Sequence, residues 1–171
     1  MQIGKKKFAL FFTILVDVIG IGFVIPVIPA LFGDPASSGY ILPDSWTPYA
    51  FLIIGLFTAL YPLSQFFASP ILGQLSDRFG RRPILIIAIL GTAFSNILSV
   101  ISILLLNPIL LIVSRITDGI TGGNIAVAQS GIADITESKD RSQNFALIGA
   151  EFGIGFVIGP YIGGLLADPS V

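Results

Sequence analysis

Four charged residues stand inside stretches of this 171-residue chain that otherwise hold no charge: Asp17 within 8–32, Arg115 with Asp118 within 109–133, and Glu151 within 145–167. An ionisable side chain is costly in so apolar a setting, and one that is kept there marks ion, proton or substrate handling. Arg115 and Asp118 are three residues apart, so on a helix they share a face and can pair. Such a pair would offset the cost of both charges and leave Asp17 as the acid free to titrate, while the rival reading gives that role to Asp118. Asp17 lies ten residues beyond Lys7, about 15 Å along a helix and close to a bilayer midplane.

A second concentration of chemistry is the run "ILGQLSDRFGRRPIL", Ile71 to Leu85, where one acid and three arginines separate two uncharged stretches. Arg78, Arg81 and Arg82 suit a short loop held on the cytoplasmic side, and Pro83 suits a helix start, where a missing N–H costs little. Neither point accounts for Asp77, Gly73 or Gly80.

The elements that must position these groups follow from composition. Hydrophobic residues make up 54% of the chain and charged ones 11%, against roughly 25% charged in a soluble domain. There is no cysteine or histidine, so disulfides and the usual zinc sites are excluded and no metal or cofactor is expected. Five blocks of low charge, 8–32, 48–74, 83–106, 109–133 and 145–167, each exceed the roughly 20 residues that cross a bilayer as a helix. The expected fold is an all-α membrane protein of five spans. The first block is too long for the apolar part of a signal peptide, so it is read as an uncleaved span.

Eight of the nine basic residues (Lys5, Lys6, Lys7, Arg78, Arg81, Arg82, Lys139 and Arg141) fall before span one, between spans two and three, or between spans four and five. By the positive-inside rule the amino terminus and those loops are cytoplasmic, in the plasma or inner membrane. Trp46, Tyr49 and Tyr161 then fall near outer span ends. A net charge of −1 with this distribution gives no reason to expect a nucleic-acid partner; the expected partners are lipid and a small-molecule substrate.

Polar and small residues recur at helical spacing: Gln65 in span two, Ser95 and Asn96 in span three, Gln129 with Arg115 and Asp118 in span four. Together with Asp17 they are the candidate lining of a transport cavity, although packing is the stronger reading for the serines. In span five, Gly155, Gly159 and Gly163 form a four-residue-spaced stripe for close helix contact, and Pro160 is expected to bend the helix. Aligning Asp17 with Asp118 also matches Ile19 with Ile120 and Gly22 with Gly123, which is a hint of inverted repeats.

These residues resemble the major facilitator superfamily of secondary transporters. The loop pattern Gly, x, Leu, x, Asp, Arg, x, Gly, Arg, Arg is met by Gly73, Leu75, Asp77, Arg78, Gly80, Arg81 and Arg82. The resemblance implies a cytoplasmic latch in which the acid faces a helix amino end in the other half of the transporter. The arginines would pair with acids on neighbouring helices, here Asp134 and Glu151. "GPYIGG", with Gly159, Pro160, Gly163 and Gly164, resembles the motif of antiporters, and spans one, two and four resemble tetracycline/proton exporters. Those exporters hold an acid in span three where this chain has Ser95, and commonly an uncharged residue where it has Asp118, so the resemblance leaves the substrate open.

The implied function is a drug/proton antiporter working by alternating access, with the proton as coupling ion and no enzymatic activity. Two alternatives are an importer of a sugar or small metabolite from the same superfamily, which the span-five motif disfavours, and a membrane remnant that no longer transports. The superfamily is built from two six-helix halves, so the chain is expected to be an incomplete amino-terminal half (1–171), a piece of a longer transporter that lacks its sixth span and carboxyl-terminal half.

Overall fold

The computed structural model describes residues 2–37 and 39–167, the side chains of 2–6, 166 and 167 excepted. Lys5 and Lys6 therefore lie outside the described side chains. Among the described residues all regular structure is helical: α1 (Gln2–Val24), α2 (Val27–Phe32), α3 (Ala50–Phe79), α4 (Arg81–Leu104), α5 (Pro108–Gly122), α6 (Asn124–Asp134) and α7 (Arg141–Ala167), with short 3-10 turns at Asp44–Tyr49 and Ser138–Asp140. Four stretches are long and apolar enough to cross a membrane: Lys7–Phe32, Asp44–Phe79, Arg81–Leu104 and Ser138–Leu165.

The expected fourth span, 109–133, is not one helix. It divides at Gly123 into α5, of 15 residues, and α6, of 11. Two adjacent glycines, Gly122 and Gly123, lower the local helix propensity, and the chain turns there with Gly123 N–H directed to the Thr121 carbonyl. The expected second span also extends further than its apolar run. α3 continues to Phe79, so Asp77 and Arg78 end a helix, Arg81 and Arg82 begin the next, and Gly80 alone separates them. Gly80 has φ +95°, a conformation open to glycine and strained for any residue with a Cβ. At the other end of α4, Asn107 closes the two-residue joint. Its Oδ1 accepts from the Ile109 and Leu110 N–H groups at 3.0 and 3.1 Å, with Pro108 at the first helical position, the arrangement that satisfies otherwise orphaned donors.

Two compact units are formed, Met1–Pro26 with Ile125–Val171, and Val27–Asn124. In the first, α1 and α7 pack in parallel along the predicted glycine stripe. A Cβ on Gly155 would meet Val18 and Ile19, one on Gly159 the Ile19 carbonyl and Gly22, and one on Gly163 the Phe23 carbonyl and Pro26. Contacts ascend together in both helices, and Ile14 and Val18 are fully buried beside them. In the second unit, α5 lies against α3 and α4. Gly119 and Gly122 face Tyr61 so closely that no side chain fits. Much of the remaining surface is aliphatic or aromatic, with Phe51 90% and Phe66 71% exposed, as suits contact with hydrocarbon.

The α1–α7 seam makes a direct prediction. Gly159→Leu places carbon within 2.6 Å of the Ile19 carbonyl oxygen and should cost about 1–3 kcal/mol or more, read as a lowered unfolding midpoint in detergent micelles. Gly153→Ala, where nothing lies within 4 Å, should leave the midpoint unchanged. Equal effects would show that the stripe is not the contact surface.

Candidate functional site: a buried charge cluster in the second unit

Arg115 and Asp118 sit on α5 and are both buried. Arg115 Nη1 is 3.4 Å from Asp118 Oδ2, so the spacing-based expectation of a local pair is met. The pair alone does not settle the guanidinium. Its Nη2 donates to Ser99 Oγ on α4 at 2.7 Å, Ser99 Oγ donates to Ser114 Oγ at 2.8 Å, and Ser114 Oγ donates to the Leu111 carbonyl at 2.6 Å. A charge on α5 is thereby tied to α4 through the Ser99 hydroxyl, which bonds back to Ser114 of α5. Arg115 Nε has no hydrogen-bond partner among the described residues.

The serine-rich face of α4 makes this possible. Ser95, Ser99 and Ser102 follow at one-turn spacing, and Ser95 and Ser102 are fully buried. Ser95 Oγ donates to the Gly91 carbonyl and Ser102 Oγ to the Ser99 carbonyl. Hydroxyls that return to their own helix can be buried without a ligand, which is how Ser95 and Ser102 are satisfied. Ser99 is the exception, through its contact with Arg115. Ser99 stands one turn from Ser95 on the same helical stripe, and Ser114 was not singled out by the sequence analysis. The signal was present, since Ser114 immediately precedes the arginine.

Gln65 of α3, expected to line the cavity, bridges two helices. Its Nε2 donates to the Gly122 carbonyl at 2.8 Å, supplying a donor where α5 stops and the next helical N–H is not in line. Asn124, just past the break, is fully buried with both side-chain polar atoms unpartnered among the described residues. Asn96 is exposed and bonds back to the Thr92 carbonyl. Thr92 and Thr121 hydroxyls meet at 3.0 Å between α4 and α5.

At the α3–α4 turn, Asp77 Oδ1 lies 2.9 Å from Arg81 Nη2, and Arg81 Nη1 donates to the buried Ser76 Oγ at 2.7 Å. The acid unexplained by topology thus joins the two helix ends. Arg78 lies over the Phe79 ring at 5.4 Å, Arg82 and Leu75 are exposed, and open space surrounds Gly73.

The remaining candidates belong to the first unit. Asp17 is half-buried on α1, one position before the Val18–Gly22 seam, Gln129 is half-buried on α6, and Asp134 ends α6 exposed. Gly164, unlike Gly155, Gly159 and Gly163, has nothing near it. Glu151, expected to receive a loop arginine, makes no ion pair with a described residue; one of its carboxylate oxygens is enclosed without a partner.

Removing one member of the buried pair should be far worse than removing both. Asp118→Ala is expected to destabilise by about 3–5 kcal/mol because it strands a buried cation, whereas Arg115→Met with Asp118→Leu should recover most of that. Unfolding midpoints of both variants check this, and an Asp118→Ala midpoint equal to wild type would contradict the pairing.

Residues 10–170 match the family model described as Major Facilitator Superfamily. The chain is 44% identical to the class C tetracycline resistance protein of Escherichia coli over 93% of its own length and 37% of that protein's. It is 41% identical to the class H tetracycline resistance protein of Pasteurella multocida, over 98% and 39%. It is 33% identical to the quinolone resistance protein NorA of Staphylococcus aureus strain N315, again over 98% and 39%. The chain thus spans less than two-fifths of the length of these relatives. With apolar helices of membrane-crossing length and a family match over nearly its whole length, the chain is a multi-pass membrane protein and belongs to the Major Facilitator Superfamily.

Proposed function

We propose that the chain supplies the first five spans of a drug/proton antiporter that works by alternating access, with α5 and α6 together forming the fourth span. The observation that carries this is the buried Arg115–Asp118 pair on α5, in a chain whose relatives bear the names of tetracycline and quinolone resistance proteins. The amino terminus faces the cytoplasm, in the inner or plasma membrane. The proton is the coupling ion and no other cofactor takes part. The partners are lipid, a small-molecule drug and the remaining spans of the transporter.

Asp17 is the proton carrier in this reading and Asp118 the fixed counter-ion of Arg115. Ser99 and the pair itself hold the guanidinium, so the arginine need not seek a second acid. Gln65, Ser95, Asn96 and Gln129 belong to the helices that surround the path. The turn from Gly73 to Arg82, with Asp134, acts as the cytoplasmic latch, and Asp77 is the residue that faces a helix amino end in the rest of the transporter, where the dipole favours an anion. Gly155, Gly159, Pro160, Gly163 and Gly164 form the segment characteristic of exporters.

In a transporter containing this chain, Asp17→Asn should abolish proton-driven efflux from everted vesicles, whereas Asp118→Asn should keep coupling with an altered pH dependence. The opposite pattern would pass the carrier role to Asp118. Orientation is checked separately. Single cysteines at Ser37 and Ser138, in a sequence without native cysteine, should react oppositely with an impermeant thiol reagent on intact cells, Ser37 labelled and Ser138 protected.

A further inference from the structure

Glu151 is a membrane-embedded acid that the coupling scheme above does not use. It lies ten residues beyond Arg141, where α7 begins, and six residues inside the apolar block 145–167, about two turns into the span. Its Oε2 is enclosed without a hydrogen-bond partner among the described residues. Residues one turn away on α7 are Leu147, Ile148, Ile154 and Gly155, none of which has a side-chain donor or a charge.

The elements packed against α7 offer no cation at that level. Gly155 meets Val18 and Ile19 of α1, so one turn lower the parallel α1 presents Ile14 and Leu15. Of the described ionisable side chains on α1, Lys7 stands near its start. Asp17 is set about 100° from Val18, on the side away from Ile19 and Gly22. The 3-10 turn before α7 carries Asp140 and Lys139, which pairs with Glu137 at 2.9 Å, and Arg141 opens the helix. All three lie about three turns from Glu151. A carboxyl so placed meets its surroundings by carrying a proton, and becomes an anion only when water or a cation reaches it.

We propose that Glu151 is a proton-binding site of the transporter, loaded while its surroundings on α7 are apolar and unloaded when water gains access to that face. This rests on the proton-coupled reading, and it adds a second acid to Asp17.

The sequence contains two glutamates, Glu137 and Glu151, so Glu137 serves as the exposed control and peptide mapping separates Glu151 from aspartates such as Asp17. Dicyclohexylcarbodiimide is an apolar reagent that adds to a protonated carboxyl and rearranges to a stable N-acylurea. Applied to membranes containing the full chain, it should modify Glu151 at neutral pH, with labelling that falls as pH rises, and leave the exposed, ion-paired Glu137 untouched. Peptide mass spectrometry locates the adduct. In the complete transporter, Glu151→Gln should reduce the protons released on drug binding to about half, as for one of two sites. An unlabelled Glu151, labelling indifferent to pH, or proton release unchanged in Glu151→Gln would each overturn the proposal. Labelling requires no transport, so it separates this proposal from the coupling scheme. A labelled Glu151 beside an Asp17→Asn variant that still couples would sink the role of Asp17 alone.

Discussion

Hydrocarbon offers no hydrogen bonds, so a polar group buried in a membrane helix must be satisfied by the protein itself. Arg115 meets this constraint at its most severe, because an unpaired guanidinium in lipid is among the costliest groups a helix can carry. Asp118 on the same face takes one amino group, and the hydroxyl chain from Ser99 to Ser114 takes another. That solution fixes how α5 meets α4, since the hydroxyl that answers the charge belongs to the neighbouring helix.

The same constraint shapes the interruption between α5 and α6. Ending a helix frees backbone carbonyls, and at Gly122 the carbonyl oxygen is answered by Gln65 of α3. The small residues that permit the interruption also let α3 approach, through Gly119 and Gly122 against Tyr61. In the other unit, Gly155, Gly159 and Gly163 let α7 lie against α1 at backbone distance. Helices in lipid lack a hydrophobic drive to associate, and close backbone approach supplies van der Waals contact in its place. Each unit therefore relies on glycine at the seam, although neither seam resembles the other in its polar content.

Much of this was legible in the sequence. Period and length marked the helices, four-residue spacing marked the α1–α7 seam, and three-residue spacing marked the ion pair. The rest depended on tertiary partners that spacing does not encode. Nothing in the apolar run 109–133 says that its two adjacent glycines end the helix, because glycine is tolerated within membrane helices when neighbours support it. The role of Gln65 was hidden for the same reason, since its acceptor is a carbonyl that exists only once the helix stops. The extension of α3 through Asp77 was hidden by composition: charged residues read as a loop, while the backbone needed Gly80 alone to turn.

The central claim is that Arg115 is held by Asp118 on the buried face of α5. Solid-state NMR of the chain in lipid bilayers, with labelled arginine nitrogens and aspartate carboxyl carbons, measures this directly. A dipolar contact between the Arg115 guanidinium and the Asp118 carboxyl is predicted, corresponding to an N–O separation near 3.4 Å and lost in Asp118→Asn. Absence of that contact, or its persistence in Asp118→Asn through another acid, would contradict the account.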